Sequence, residues 1–176
     1  VGSEMCIRDS YLHMGTEDLG WNVLKLANRY GIFDRVILTQ NSNEIPGVSS
    51  EQLNLIYNAC DVGLSTSAAE GWGLPNFEHA AAGKPQVIPR FGALEEIWDG
   101  CAELVEPSAE VVFEHVITEA KAVRPEDVAT ALERLYRDRA YRADIAWAGY
   151  RRVTRPENDW TDIARRWHEL FQDALN

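Results

Sequence analysis

The sequence predicts an α/β fold: a parallel β-sheet with helices on both faces, followed by a helical C-terminal tail. Short apolar stretches rich in β-branched residues alternate with stretches in which apolar residues recur at helical spacing. This alternation is typical of parallel sheets, because each crossover between parallel strands usually carries a helix that covers one face. After Pro107 helical periodicity alone remains, which predicts the tail.

The predicted strands are short, apolar and bounded by turn-forming or polar residues. They cover residues 11–14, 36–39, 62–65, 86–89 and 102–105. The predicted helices cover residues 21–30, 49–59, 75–82, 94–98, 126–137, 140–153 and 160–175. Local signals support three of the helix ends: Gly31 suits a C-terminal cap, Ser49 and Gln52 have capping-box spacing, and Pro75 suits a first turn.

We expect three segments along the chain. Residues 1–10 resemble the translated read-through of a sequencing-library adapter, so we exclude them from the fold prediction as an artefact. Residues 11–107 form the predicted α/β domain, and residues 108–176 form a helical tail that packs on the same domain. If the first segment is an artefact, the natural protein continues upstream of Ser10, and the present sequence lacks the first strand of this domain.

Composition and charge exclude two broad classes of function. The 176 residues carry a formal net charge of −11, and an acidic domain repels nucleic acid, so we expect no nucleic-acid partner. No run approaches the roughly 18 apolar residues that a membrane-spanning helix needs. Of the three cysteines, Cys60 and Cys101 lack metal-like spacing, and two isolated thiols fit a cytoplasmic protein.

The most informative stretch runs from Glu70 to Glu78 and sets two carboxylates around a glycine-flanked turn that leads into a helix. Backbone N–H groups at a helix start hold phosphate well, because the helix dipole places partial positive charge there. Carboxylates repel phosphate, but they accept hydrogen bonds from hydroxyl groups. A ligand with hydroxyls on both sides of a phosphate is a nucleotide-diphosphate sugar, which the stretch therefore predicts as the ligand.

The same residues carry a family resemblance. The stretch 70–75, the following Glu78, and the small-residue run that ends at Gly83-Lys84-Pro85 resemble the signature of retaining glycosyltransferases of family 4. Ser67 and the pair Glu96-Ile97 match further positions of that pattern. The resemblance implies the two-domain GT-B architecture, of which this chain would be the Rossmann-like, donor-binding C-terminal half.

The resemblance also implies roles for individual residues. Glu70 would be the catalytic residue and would accept hydrogen bonds from the donor sugar, and Glu78 would hold the ribose hydroxyls. Backbone N–H groups would face the sugar and diphosphate from Gly71, Trp72, Gly73 and Leu74. The donor is the nucleotide-diphosphate sugar itself, with no cofactor and no metal. The family's diphosphate clamp, an arginine and a lysine, would lie upstream of Tyr11, as would the acceptor-binding domain.

Other residues near the motif have two interpretations. His79 could face the donor, although a packed histidine is the more common case. Trp72 stands where the family usually has phenylalanine and could either stack on a ligand or pack. Lys84 and Arg90 could approach phosphate but are more typical of surface charges. The apolar stripe around Trp167 is expected to pack onto the domain, and in the resembling architecture part of it would cross to the other domain.

The function that this resemblance implies is sugar transfer from a nucleotide-diphosphate sugar, with retention of anomeric configuration, to an acceptor that is a glycan, a lipid or a protein. One alternative is an enzyme like the non-hydrolysing nucleotide-sugar epimerases, which share the architecture. A second is a non-catalytic nucleotide-binding module. In the resembling architecture, donor and acceptor meet in a cleft between the two domains. Because the acceptor-binding domain would be missing, we expect the 176-residue chain to be inactive by itself.

Overall fold

The structure is a computed structural model, which describes residues 9–17, 21–40, 42, 44, 46–112 and 119–175. Its parallel strands and intervening helices confirm the predicted α/β class. The chain divides into two compact units, Val1–Leu53 and Asn54–Asn176. Residues 1–8 of the predicted adapter-derived segment lie outside the described residues.

In its described residues, the first unit contains two parallel strands and one complete helix. The elements are β1 (Ser10–Leu12), α1 (Val23–Arg29) and β2 (Val36–Leu38), with a single 3-10 turn at Phe33–Arg35. Strands β1 and β2 pair in register from Ser10 opposite Val36 to Leu12 opposite Leu38. Gly31 follows α1 with φ of 67°, a left-handed conformation that favours glycine and confirms its predicted capping role.

Helix α2 (Ser50–Ala59) begins with the predicted capping box. The backbone N–H of Gln52 donates to Ser49 Oγ at 3.3 Å, and the backbone N–H of Ser49 donates to Gln52 Oε1 at 2.9 Å. These reciprocal bonds satisfy two N–H groups at the helix start that have no partner within the helix. The sequence signal for this helix start was therefore correct.

The second unit is built on a three-stranded parallel sheet in the order β3-β4-β5. The five elements that follow α2 are β3 (Gly63–Leu64), α3 (Leu74–Ala81), β4 (Gln86–Pro89), α4 (Gly92–Trp98) and β5 (Glu103–Val105). Because the strands are parallel, their carboxyl ends share one edge of the sheet. The connection from β3 to α3, residues 65–73, starts at that edge and contains the first part of the motif, while the rest of the motif lies on α3.

The core lies on both faces of β4. Neighbouring residues on a strand point to opposite faces, so Val87 and Ile88, both fully buried, begin two different clusters. Ile88 packs with Ala80, Leu94, Trp98, Cys101, Ala102 and Val153. Val87 packs with Val105, Val128, Ala131 and Leu135. Helices from the tail supply residues to both clusters, so the sheet is covered on both sides.

The described part of the tail contains three helices and a pair of antiparallel strands. The helices are α5 (Pro125–Arg137), α6 (Arg139–Val153) and α7 (Trp160–Leu175), with a single 3-10 turn at Pro156–Asn158. The sequence analysis missed the antiparallel strands β6 (Ala109–Val112) and β7 (Glu119–Ala122), since β7 reads Glu-Ala-Lys-Ala and has neither β-branched nor aromatic residues. The boundary at residue 107 stays a prediction.

Helix α7 differs from α5 and α6 in its packing. It has no buried residue, and Trp167 and Phe171 are 54% and 58% exposed. The expectation that the stripe around Trp167 packs onto the domain is therefore wrong for this structure. The two rings instead contact each other, with centroids 5.5 Å apart, which leaves an apolar helix face exposed to solvent.

A buried polar bridge sets the position of α3 against the sheet. Asn76 Nδ2 donates to Gln86 Oε1 at 2.9 Å, and Gln86 Nε2 donates to the backbone oxygen of Lys84 at 3.0 Å. Gln86 is 1% exposed, so its amide depends on these partners. Gly63 lies opposite Gln86 in the sheet, and a Cβ there would come within 1.9 Å of Gln86 Oε1.

We expect Gly63→Ala to lower the free energy of unfolding by about 2 kcal/mol, because the added methyl group displaces the Gln86 amide from its buried hydrogen bonds. Urea unfolding of the variant and the wild type measures this difference. Gly47→Ala is the matched control, since a Cβ at Gly47 meets nothing within 4 Å. Equal losses in both variants would show that the bridge contributes nothing specific.

Candidate functional site

The loop between β3 and α3 turns sharply at Gly73 to enter the helix. Gly73 caps α3 with φ of 80° and ψ of 50°, in the left-handed region. A Cβ at this position would lie 3.1 Å from Leu94 Cδ2, so conformation and space both favour glycine. Pro75 occupies the first turn as predicted, where its missing N–H removes no helical hydrogen bond.

The side chain of Glu70 lies on the backbone of its own loop. Its Oε1 accepts hydrogen bonds from the N–H groups of Gly71 at 3.1 Å and Trp72 at 3.4 Å. Two amides predicted to face the donor therefore converge on one oxygen atom, here a carboxylate oxygen. Convergent N–H groups of this kind form an anion-binding concavity. A donor that used them would have to displace the Glu70 carboxylate from this position.

Glu78 lies on α3, and its side chain is fixed by a residue of another helix. Tyr57, near the end of α2, donates its hydroxyl to Glu78 Oε2 at 2.9 Å. Burial of the phenol, together with the bond to Glu78, raises the pKa of Tyr57. Tyr57 therefore remains a protonated donor at neutral pH. The sequence analysis identified Glu78 but not this partner.

His79 is packed in the interior. It is 5% exposed, and its ring stacks on Tyr57 with centroids 5.2 Å apart and planes 21° apart. Its Nε2 atom has no hydrogen-bond partner among the described residues. Burial lowers the pKa of His79, which keeps the imidazole neutral at pH 7. Of the two interpretations of this residue, the structure favours packing.

We expect His79 to make the protein less stable as the pH falls. The unfolded chain takes up a proton on His79 near its ordinary pKa of 6.5, whereas the folded chain does so at a lower pH. The free energy of unfolding therefore falls as the pH drops below about 6.5. The difference in free energy of unfolding between wild type and His79→Gln, measured by urea unfolding, should become smaller as the pH falls from about 7.5 to about 5.5. A difference that stays the same across that range would contradict the assignment.

Trp72 and Leu74 form the exposed apolar side of the loop. Trp72 is 45% exposed and Leu74 is 54% exposed. The Trp72 ring lies 5.5 Å from the Phe77 ring, which in turn meets Trp98 edge-on at 6.1 Å. Trp72 is therefore anchored on one side by packing, and much of its surface remains accessible.

The two basic residues near the motif, Lys84 and Arg90, contact other groups of the protein. Lys84 Nζ donates to the backbone oxygen of Asn58 at 2.9 Å. Arg90, at the carboxyl end of β4, pairs with three carboxylates, at 2.6 Å from Glu106, 3.3 Å from Glu95 and 3.5 Å from Asp99. Neither side chain is placed as a phosphate ligand, in agreement with the surface-charge interpretation.

The first part of the loop is held by the hairpin that the sequence analysis missed. The backbone N–H of Lys121 on β7 donates to the backbone oxygen of Ala68 at 2.8 Å. Ser67, which matches the family pattern, donates its hydroxyl to the backbone oxygen of Ala69 at 2.8 Å. These bonds fix the backbone just before Glu70, so the hairpin contributes to the site without providing a side chain.

Among the residues that the structure describes, no group of three or more His, Cys, Asp and Glu side chains is arranged to hold a metal ion. No helix in the same residues combines the length and apolar character that crossing a membrane requires.

Comparison with solved structures supports the fold. A sucrose-phosphate synthase from Thermosynechococcus elongatus matches with a TM-score of 0.71 at 21% identity, over 94% of this chain and 38% of that chain. Anabaena HepE, solved in complex with UDP and glucose, matches with a TM-score of 0.65 at 20% identity, over 85% of this chain and 35% of that one. The chain thus spans little more than a third of either neighbour.

A third solved structure is itself a single domain. It is the C-terminal domain of a group 1 glycosyl transferase family protein, LpcC, from Francisella tularensis, with a TM-score of 0.55 at 26% identity. The match covers 74% of this chain and 57% of that chain. The fold is therefore that of a GT-B glycosyltransferase domain. No curated protein sequence matches the chain significantly.

The model of one protein family matches residues 14–169, which is most of the chain and includes the whole motif from Glu70 to Glu78. Together with the parallel α/β fold and the glycine-capped loop, this match establishes that the chain belongs to the glycosyl transferase-like family.

Proposed function

We propose that the chain is the donor-binding, C-terminal half of a retaining glycosyltransferase of the family 4 type. The whole protein transfers a sugar from a nucleotide-diphosphate sugar to an acceptor, which is a glycan, a lipid or a protein. The observation that carries the proposal is the loop before α3, where the N–H groups of Gly71 and Trp72 converge on one carboxylate oxygen of Glu70. The binding of UDP and glucose by HepE, a structural neighbour, supports this class of donor.

Each group in the loop has a chemical task. The amides of Gly71 to Leu74 and the dipole of α3 stabilise the negative charge that grows on the diphosphate as it leaves. Glu70 moves from these amides to accept hydrogen bonds from the donor sugar, which orients the sugar for transfer with retention. Glu78 accepts hydrogen bonds from the ribose hydroxyls. No metal takes part, because the amides and an upstream Arg/Lys pair supply the positive charge.

The proposal includes a partner within the whole protein. An upstream domain supplies the acceptor site and the Arg/Lys clamp, and the exposed apolar face of α7 contacts that domain. This chain alone therefore binds donor without turning it over. Its two cysteines in the described part of the chain, Cys60 and Cys101, are free thiols, which suits a cytoplasmic location.

Calorimetry with UDP, GDP and ADP tests the proposal on this chain. We expect at least one diphosphate to bind, and the corresponding monophosphate to bind more weakly, because it offers one charged phosphate fewer to the α3 amides. Absence of binding by all three, or equal binding of monophosphate and diphosphate, would contradict the proposal.

The proposed transferase and its two rival functions predict different products from the protein with its upstream domain. A transferase releases nucleoside diphosphate and glycosylates the acceptor, whereas an epimerase-like enzyme yields an epimerised nucleotide sugar without needing an acceptor. A non-catalytic module returns the nucleotide sugar unchanged. NMR of the recovered sugar and nucleotide separates the three, and also shows whether the anomeric configuration is retained.

A further inference from the structure

We propose that Tyr57 is a positioning residue that holds the Glu78 carboxylate in the orientation that accepts the ribose hydroxyls. The inference rests on the proposed function and extends it, because none of the positions that match the family pattern lies on α2. It also assigns to Tyr57 a selectivity for nucleotides with an intact ribose diol.

The first support is the hydrogen bond itself. The Tyr57 hydroxyl lies 2.9 Å from Glu78 Oε2, and this bond joins α2 to α3 through two residues that are 21 positions apart in sequence. Glu78 is exposed, and a glutamate side chain without such a bond samples many rotamers, so fixing one of them costs conformational entropy. The bond to Tyr57 removes part of that cost before the nucleotide binds.

The second support is that Tyr57, which donates the hydrogen bond to Glu78, is itself held in place. The Tyr57 ring stacks on His79, whose ring is buried beneath it. The end of α2 is tied further by the bond from Lys84 Nζ to the Asn58 oxygen. Tyr57 is therefore anchored by its ring and its backbone, so its hydroxyl has a defined direction.

The third support is the hydrogen-bonding capacity that remains on Glu78. An ionised carboxylate has about four acceptor sites, and Tyr57 uses one of them, on Oε2. Among the described residues, no other hydrogen bond to the Glu78 side chain is present, so Oε1 and the other lone pairs stay available to two hydroxyl donors. A ribose diol supplies two such donors, whereas a 2′,3′-dideoxyribose supplies none, so the benefit of Tyr57 should depend on the diol.

The test is calorimetry of this chain with the tightest-binding of UDP, GDP and ADP, and with its 2′,3′-dideoxy counterpart. Tyr57→Phe keeps the ring stacking and removes only the hydroxyl. We expect it to weaken binding of the ribonucleotide about fivefold, the value of one ordinary hydrogen bond. We expect no change for the dideoxy compound, and no further loss when Tyr57→Phe is added to Glu78→Ala. Tyr150→Phe, on α6, is the control for loss of a tyrosine hydroxyl.

Each other outcome overturns a defined part of the argument. If Glu78→Ala weakens ribonucleotide binding and Tyr57→Phe does not, the positioning role is wrong and the proposed function stands. If Tyr57→Phe weakens binding of both nucleotides equally, its effect is general and the positioning role is again wrong. If neither variant changes the affinity, the ribose role of Glu78 fails, and the proposed donor site fails with it.

Discussion

Replacing Glu78 by alanine is expected to weaken nucleoside diphosphate binding about tenfold to a hundredfold. Hydrogen bonds to a charged group contribute about 1.5–3 kcal/mol, and every 1.4 kcal/mol is about a factor of ten in affinity. Glu78 is an exposed residue on α3, fixed by Tyr57, so the loss should come from the missing carboxylate and not from unfolding. Titration calorimetry measures the change directly.

The control for this variant is Glu126→Ala. Glu126 is also an exposed glutamate on a helix, in the first turn of α5, and its removal causes the same change in net charge. We expect it to leave the affinity unchanged. An affinity of Glu78→Ala equal to that of Glu126→Ala would remove the ribose role.

Replacing Glu70 by alanine is expected to affect binding of the nucleotide-diphosphate sugar and binding of the diphosphate without sugar in different ways. The affinity for the nucleotide-diphosphate sugar should fall about tenfold or more, because the sugar hydroxyls lose a charged acceptor. The affinity for the diphosphate without sugar should stay the same or rise, because the variant no longer covers the N–H groups of Gly71 and Trp72. Calorimetry with both ligands, on the same protein samples, gives the two numbers.

The transfer step should respond still more strongly to Glu70. In the protein with its upstream domain, Glu70→Ala should lower the turnover number about a hundredfold or more, as for other groups that stabilise a transition state. Glu70→Gln keeps the shape of the side chain and removes its charge, so it tests whether charge is required. Equal losses of affinity for the sugar donor and the bare diphosphate would contradict a role for Glu70 at the sugar.

Elements with strong local signals were predictable from sequence. The capping box at Ser49 and Gln52, the first-turn Pro75 and the glycine after α1 all appear as expected, because each depends on residues close in sequence. The β6–β7 hairpin was missed because β7 lacks β-branched and aromatic residues and is defined by its pairing with β6. The exposure of α7 was mispredicted because amphipathic spacing shows that a face is apolar without showing what covers it.

The candidate site also combines residues with a local sequence signal and residues without one. A continuous motif located the loop, the two glutamates and the helix start. The residues that hold this loop and helix in place are distant in sequence and leave no local signal: Tyr57 on α2, Lys121 on β7, and the pair Gly63 and Gln86 in the sheet. The contact between Glu70 and its own loop amides also depends on side-chain conformation, which spacing does not encode.

The most direct test of the account is an NMR titration of the ¹⁵N-labelled chain with its preferred nucleoside diphosphate. We expect the amide signals of Gly71, Trp72, Gly73 and Leu74 to move most, because these N–H groups receive the diphosphate. Although the protein is acidic, it has a basic hollow that could compete with the loop for the diphosphate. Three arginines on and just after α6 contribute to its lining: Arg151, Arg152 and Arg155. The largest shifts at that hollow, with the loop signals unmoved, would contradict the central claim.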